Sequence, residues 1–191
     1  GWVTAEYSML PRSTSTRNSR DFPTSKPNAR SLEIQRLVAR SLRSCINLVK
    51  LGNRTITVDC DVIQADGGTR TAAVTGGFLA LSDACEKIFD TKLECIQNNI
   101  AAVSVGIFAQ NVLLDLDYDE DSNCDADINL IMNSLGQIVE IQGTAEKNSF
   151  SEQTLSEVIM IAKSGLRTIF SLQKKMQKSR GLKTISTGEH S

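Results

Sequence analysis

From Thr55 to Val62 the chain alternates, with Ile56, Val58, Cys60 and Val62 set against Thr55, Thr57, Asp59 and Asp61, and soon afterwards it meets Gly67-Gly68-Thr69-Arg70. A helical pattern follows, roughly Arg70 to Asp90. Alternation with period two predicts a strand with one buried face. Adjacent glycines let the backbone turn tightly and approach a ligand closely. The first turn of the helix then brings unpaired N–H groups and the positive end of its dipole to the turn. Thr69 adds a hydroxyl and Arg70 a forked, permanently charged guanidinium. A strand, a glycine turn and a helix in this order predict an anion pocket, most simply a phosphate site.

Bulk composition excludes several chemistries. With 40% hydrophobic and 23% charged residues the chain is an ordinary globular sequence, and 191 residues suit one domain or two halves sharing a core. We expect a single domain over residues 1–177 and a flexible tail over 178–191. Net charge is −1, so nucleic-acid binding would need a local basic patch. The single histidine, His190, lies in the terminal tail, which argues against histidine-based catalysis. Five cysteines without a CxxC pair argue against disulfide frameworks and zinc sites and fit a reducing cytoplasm. No apolar run has membrane-spanning length, so no membrane partner is expected. The start, Gly1-Trp2-Val3-Thr4-Ala5-Glu6-Tyr7, reads as structured from its first residue and suggests residues upstream.

The remaining pattern predicts an α/β layered domain with a mixed sheet. A short strand covers Trp2 to Tyr7. Residues 12–30 form a loop with Arg12, Arg17, Arg20, Lys26 and Arg30 against Asp21, a charge of +4 that suits a polyanion. Ser31 is the expected N-cap of a helix reaching Gly52, with Leu32, Ile34, Leu37, Val38, Leu42, Cys45, Ile46 and Val49 inward. Arg36, Arg40 and Arg43 share its other face, either as a solvated surface or as a basic stripe. Gly76-Gly77 implies close packing of the next helix. Strands follow at Ala101–Phe108 and Val112–Tyr118, joined by a hairpin, and at Ala126–Met132 and Ile138–Gln142. The crossover from Cys60 to Ala101 is long enough to set those strands parallel. An amphipathic helix, Ser151 to about Met176, turns Leu155, Val158, Ile159, Ile161, Ala162, Leu166, Ile169, Phe170 and Leu172 inward.

Between Asp115 and Asp127 lie seven acids in thirteen residues. Strand alternation would put Asp115 and Asp117 on one face. Such density is either a solvated acidic loop or a cation site, and an oxygen-only, histidine-free set suits Mg²⁺ or Mn²⁺. It lacks the glycine and terminal Glu of an EF-hand. An anion cradle plus an acidic cluster points to phosphoryl transfer, which needs clamps and a divalent ion more than a general base.

Several long strings then agree with one family. Gly1 to Arg12, Glu33-Ile34-Gln35-Arg36-Leu37, Asp59 to Thr71, Ala102 to Ile107 and Val139 to Glu146 are collinear with the ribonuclease PH family of phosphorolytic 3′ exoribonucleases, and the resemblance spans about residues 1–175. It implies a duplicated β-α-β-α unit like ribosomal protein S5 domain 2. It implies a hexameric ring, a trimer of dimers. It also implies cleavage at RNA 3′ ends, tRNA precursors among them, with inorganic phosphate as co-substrate and release of nucleoside diphosphates.

Carried over by motif, the phosphate-binding residues fall on Arg30, Gly68, Thr69 and Arg70. The aspartates of metal and acid chemistry fall on Asp121 and Asp127, and the RNA-contacting arginines on Arg12, Arg17 and Arg20. Three departures stand out. Asn28-Ala29 replaces a Gly-Gly, Ser15 replaces a His, and about fifty family residues holding the first strands would precede Gly1, whose loss would expose a sheet edge and an apolar face. The same motifs also fit a non-catalytic RNA-binding ring subunit or an inert fragment, and a polynucleotide phosphorylase domain shares the fold.

Overall fold

The computed structural model describes residues 1–19, 28–89 and 95–179. The strands are β1 (Trp2–Met9), β2 (Thr55–Val62), β3 (Ile100–Phe108), β4 (Asn111–Leu114), β5 (Ala126–Asn133) and β6 (Ile138–Ala145). The helices are α1 (Ala29–Ser44), α2 (Leu48–Leu51), α3 (Thr69–Phe89), α4 (Tyr118–Asn123) and α5 (Glu152–Ser179).

Two sheets are present among the described residues. β1 and β2 pair in parallel from Trp2↔Thr55 to Met9↔Val62. The second sheet is antiparallel, in the order β4-β3-β5-β6. Helices α1 and α3 lie between the sheets, contacting β1 and β2 on one side and β6 and β3 on the other. Helix α5 covers the far face of the larger sheet, with Val158, Ala162 and Leu166 buried against it. Strand β3 is therefore buried on both faces. Ile100 and Ala102 join Ile34, Leu37, Val74, Phe78 and Leu81 on the α1/α3 side. Ala101, Val103, Val105 and Ile107 join the α5 side. Fully burying a side chain such as Phe78 is worth about 2–3 kcal/mol. The mixed α/β architecture, with packed helices on parallel and antiparallel sheets, is the one expected from the sequence.

The structure corrects several boundaries. The first long helix begins with Asn28 as N-cap, not Ser31: the Asn28 side chain accepts from the Arg30 N–H at 3.0 Å, and Ser31 is buried. It also stops at Ser44. Cys45–Asn47 turns extended because Asn47 N–H bonds Cys95 C=O and Gln97 N–H bonds Cys45 C=O, each at 2.8 Å. Asn47 then caps the separate one-turn α2, and Gly52 ends that helix with φ 69°. Val49 consequently points to solvent at 88% exposure instead of joining the core.

β2 and β3 do not pair in parallel, because β4 and β5 occupy both edges of β3. The Gly76-Gly77 pair is not forced by crowding either. A Cβ at Gly77 would meet Val58 and Leu42 at an ordinary 3.5–3.7 Å, and at Gly76 it would meet nothing within 4 Å. Along α5 the buried row continues through Gln173 and Gln177, while Leu172 is 52% exposed.

Candidate active site

The glycine turn is held from three sides. Gly67 lies so close to the segment after β4 that a Cβ there would come within 1.9 Å of the Leu116 carbonyl oxygen. Gly68 adopts φ 73°, a conformation that only glycine enters without cost. Its carbonyl accepts from Ala72 N–H at 3.0 Å and from the Thr71 hydroxyl at 2.8 Å, which starts α3. Thr69 is placed by the buried Tyr7, whose hydroxyl donates to Thr69 Oγ1 at 2.9 Å. Asp66 Oδ1 accepts from Gly67 N–H at 2.9 Å and from Tyr118 N–H at 2.7 Å, tying the turn to the acidic segment.

That acidic segment is not the strand that alternation suggested. β4 ends at Leu114, and Asp115 turns the chain with φ 61°. Asp117 N-caps α4 in a reciprocal capping box with Glu120. Asp115 and Asp117 therefore share no strand face: the backbone turns at Asp115, and the Asp117 side chain caps α4 by accepting from Glu120 N–H. Asp121 comes off α4, and Asp127 comes off β5 on the face that looks toward α3.

A polar row crosses the larger sheet beneath α3. Ser104 on β3 pairs with Asn129 on β5, which pairs with Gln142 on β6. Arg70 from α3 reaches into this row. Its guanidinium lies 3.4 Å from Glu33 Oε2 and 3.7 Å from Asp127 Oδ2. Gln142 Nε2 donates to Glu33 Oε1 at 2.6 Å, and Asn129 Nδ2 donates to Asp127 Oδ2 at 3.2 Å. Four polar atoms here are buried without a partner: Arg70 Nε, Ser104 Oγ, Asp127 Oδ1 and Gln142 Oε1. Buried polar groups are ordinarily satisfied, so a concentration of orphans marks a site shaped for a polar guest.

Electrostatics separate the carboxylates. Burial pushes the Asp127 carboxyl above its ordinary range and the charge of Asp121 pushes it further, while Arg70 and the Asn129 hydrogen bond pull it down without cancelling the rise. Burial also acts to raise Glu33, but the Gln142 hydrogen bond and Arg70 outweigh it, and the net direction is down.

A cleft of about 640 Å³ opens in front of the turn, and its wall includes Arg30, Thr69, Tyr118 and Asp121. The structure thus brings Arg30, Thr69 and Asp121 to one cleft, with Gly68 forming the turn behind Thr69. Arg70 and Asp127 lie next to each other in the polar row. Arg12 and Arg17 are exposed on the folded loop after β1 and do not line the cleft. Arg20 lies outside the described residues. The arginine stripe of α1 is largely structural: Arg40 pairs with Glu140 at 2.7 Å, and Arg43 lies over the Trp2 ring at 4.5 Å and donates to Val3 C=O.

Sequence reading missed Tyr7, Glu33, Asp66, Ser104, Tyr118, Asn129 and Gln142. Glu33 and Gln142 stand inside the strings that carried the family resemblance, but nothing local to either one signals a contact across 109 positions.

No three His, Cys, Asp or Glu side chains among the described residues form a ready cation cage. The donor set still fits a hard cation held by two carboxylates. Asp121 raises the Asp127 carboxyl by its charge, and Asp127 Oδ1 is buried without a partner. Mg²⁺ is commonly bound through one or two carboxylates together with substrate phosphates.

The chain matches known proteins along its length. Residues 1–85 match domain 1 of the 3′ exoribonuclease family, and residues 98–165 match domain 2. The proteins named ribonuclease PH from two strains of Dehalococcoides mccartyi are 53% identical over 177 residues, covering 91% of this chain and 73% of the relative. The fold is shared with Rrp46 of rice, at TM-score 0.73 and 14% identity over 93% of this chain and 74% of that one. It is shared as well with a chain of the Archaeoglobus fulgidus exosome with RNA bound to its active site, at TM-score 0.70 and 19% identity over 92% and 71%. By both halves of its sequence, this chain belongs to the ribonuclease PH family of 3′ exoribonucleases.

Proposed function

We propose that the protein is a phosphate-dependent 3′→5′ exoribonuclease that trims the 3′ ends of tRNA precursors and releases nucleoside diphosphates. The observation that carries this reading is the cleft in which Arg30, Thr69 and Asp121 meet, backed by the Arg70–Asp127 pair. Arg30, the Thr69 hydroxyl and the first turn of α3 hold inorganic phosphate at the turn. Arg70, short of hydrogen-bond partners at Nε, gives the anion a forked partner.

An oxygen of that phosphate attacks the phosphorus of the terminal phosphodiester. The bond to the 3′-oxygen of the penultimate nucleotide breaks, and the chain shortens by one residue. The leaving 3′-oxygen takes a proton from Asp127, whose carboxyl is pushed up by burial and by Asp121, or from water when Asp127 is ionised. Asp121 and the ionised form of Asp127 are the residues that would hold Mg²⁺ or Mn²⁺, which would neutralise charge on the transferred phosphoryl group. Arg12, Arg17 and Arg20, off the cleft or outside the described residues, would serve the body of the RNA and assembly into a hexameric ring. The working compartment in this reading is the cytoplasm.

The test follows nucleoside diphosphate release from a tRNA precursor as phosphate is titrated. The wild type is expected to show saturable phosphate dependence, and Arg70→Ala to lose about 100- to 1000-fold, the usual cost of removing a preorganised oxyanion partner. Release that ignores phosphate, or survives Arg70→Ala intact, would overturn the reading. RNA binding without any release would instead assign the chain to the non-catalytic ring subunits.

A further inference from the structure

Tyr118 is the most exposed aromatic among the described residues, at 66% against 51% for Trp2 and 45% for Phe108. The Trp2 ring carries Arg43 on its face; among the described residues no cation covers the Tyr118 ring. Yet Tyr118 is firmly mounted. Its N–H is held by Asp66, the carboxylate that also holds the phosphate turn, and its carbonyl accepts from the Ser122 hydroxyl. The preceding Leu116 is 2% exposed and fills the space over Gly106, where a Cβ would come within 2.7 Å. An apolar ring on a fixed backbone, left in water beside Asp121 on a cleft wall, is a surface prepared for a planar guest.

Charge decides which part of an RNA 3′ end lies there. Asp117, Asp119 and Glu120 flank Tyr118 in sequence and repel phosphate, whereas Arg30, which also lines the cleft, attracts it. A bound nucleotide therefore puts its phosphate toward Arg30 and Thr69 and its neutral base toward Tyr118. The cleft lining also includes Thr14, Ser15, Thr16, Asn18 and Ser19, short side chains that both donate and accept hydrogen bonds and so suit any base edge. Stacking is likewise tolerant of sequence, because every base has a π-face.

Resting on the phosphorolytic reading above, we propose that Tyr118 is the stacking platform for the 3′-terminal nucleobase, a subsite that registers each successive nucleotide without reading its identity.

The experiment measures equilibrium binding of a short oligoribonucleotide in phosphate-free buffer, with its last nucleotide either intact or abasic, to wild type, Tyr118→Ala and Tyr118→Phe. The wild type is expected to bind the intact end roughly 5- to 150-fold more tightly than the abasic end, the range of one base–aromatic stack. Tyr118→Ala should weaken the intact end by the same factor and erase the difference, while Tyr118→Phe should retain it. Ends in A, C, G and U should bind alike within a few-fold.

Equal binding of intact and abasic ends by the wild type overturns the proposal without recourse to any variant. So does a Tyr118→Ala variant that still discriminates. A wild type that releases diphosphates but fails these tests loses only the Tyr118 subsite, whereas a wild type that binds no RNA end loses the phosphorolytic reading as well.

Discussion

Two segments meet at the cleft and are built by opposite means, the proposed phosphate wall lining it with Thr69 and the acidic wall with Tyr118 and Asp121. The phosphate wall, Gly67 to Arg70, is made by local backbone: a strand ends, two glycines turn, and a helix begins. The acidic wall, Leu114 to Asp127, is made by interruptions, with a positive-φ Asp115, a capping box and a short helix before β5 resumes the sheet. The first wall is specified by adjacent residues and then braced by Tyr7, Asp66 and the Leu116 carbonyl. The second takes its shape from what it docks against, chiefly Asp66 and the Gly67 backbone. An anion cradle can thus be carried by a few adjacent residues, while a pair of carboxylates at controlled separation requires the rest of the fold.

If the walls depend on each other, the contact at Gly67 is where they come apart most sharply. Gly67→Ala places a methyl group where the Leu116 carbonyl already stands, 1.9 Å from the ideal Cβ, and backbone cannot swing aside as a side chain can. We expect a loss of about 3 kcal/mol in denaturant unfolding, at the upper end of overpacking costs. Near-wild-type stability would mean that the walls are independent.

A smaller effect is expected for Asp66→Ala, which leaves two backbone N–H groups to find other partners at a cost of about 1–2 kcal/mol. It should lower the rate of diphosphate release by more than it lowers stability, because it frees the mount of the acidic wall relative to the phosphate turn. Equal losses in both measurements would reduce Asp66 to an ordinary stabilising contact.

The gentlest probe is pH. Asp127 is raised above its ordinary 3.8, so it binds its proton more readily folded than unfolded and weakens the fold as pH rises past that value. Asp127→Asn is therefore expected to melt a little higher than wild type at pH 7, with the gap closing as pH falls toward about 4. Glu33, lowered from 4.5, acts in the opposite sense: it supports the fold above that value and loses its contribution as pH falls. A thermal-melting series of wild type, Asp127→Asn and Glu33→Gln across this range checks both signs.

The same contrast explains what the sequence disclosed. The phosphate wall was legible because its determinants are adjacent: alternation, Gly67-Gly68, then Thr69-Arg70, each with a local physical meaning. The strands of the large sheet, apart from the end of β4, and α5 were legible from their patterns, but the order in which the strands pair was not. The acidic wall was noticed but misshapen, because alternating Asp115 and Asp117 imitate a strand when the turn at Asp115 and the cap at Asp117 are not considered. The break at Cys45–Asn47 was hidden for a related reason, since its hydrogen bonds go to Cys95 and Gln97, some fifty positions away. Glu33 meeting Arg70 and Gln142, like Tyr7 meeting Thr69, depends on how the two sheets are stacked, and no local pattern announces it.

The row Ser104, Asn129 and Gln142, with Asp127 beside it, has one more consequence. Along β5 the alternate residues Ala126, Ile128, Leu130 and Met132 face α5, so Asp127 reaches Arg70 only in the present pairing of Gly106 with Asp127. A slip of one residue would keep every strand and most hydrogen bonds, yet would turn Asp127 into the α5 core and set Ile128 against Arg70. Strand register is thus part of what assembles the site. A chain that folded one step out of phase would look native by its secondary structure and bring no carboxylate from β5 to Arg70.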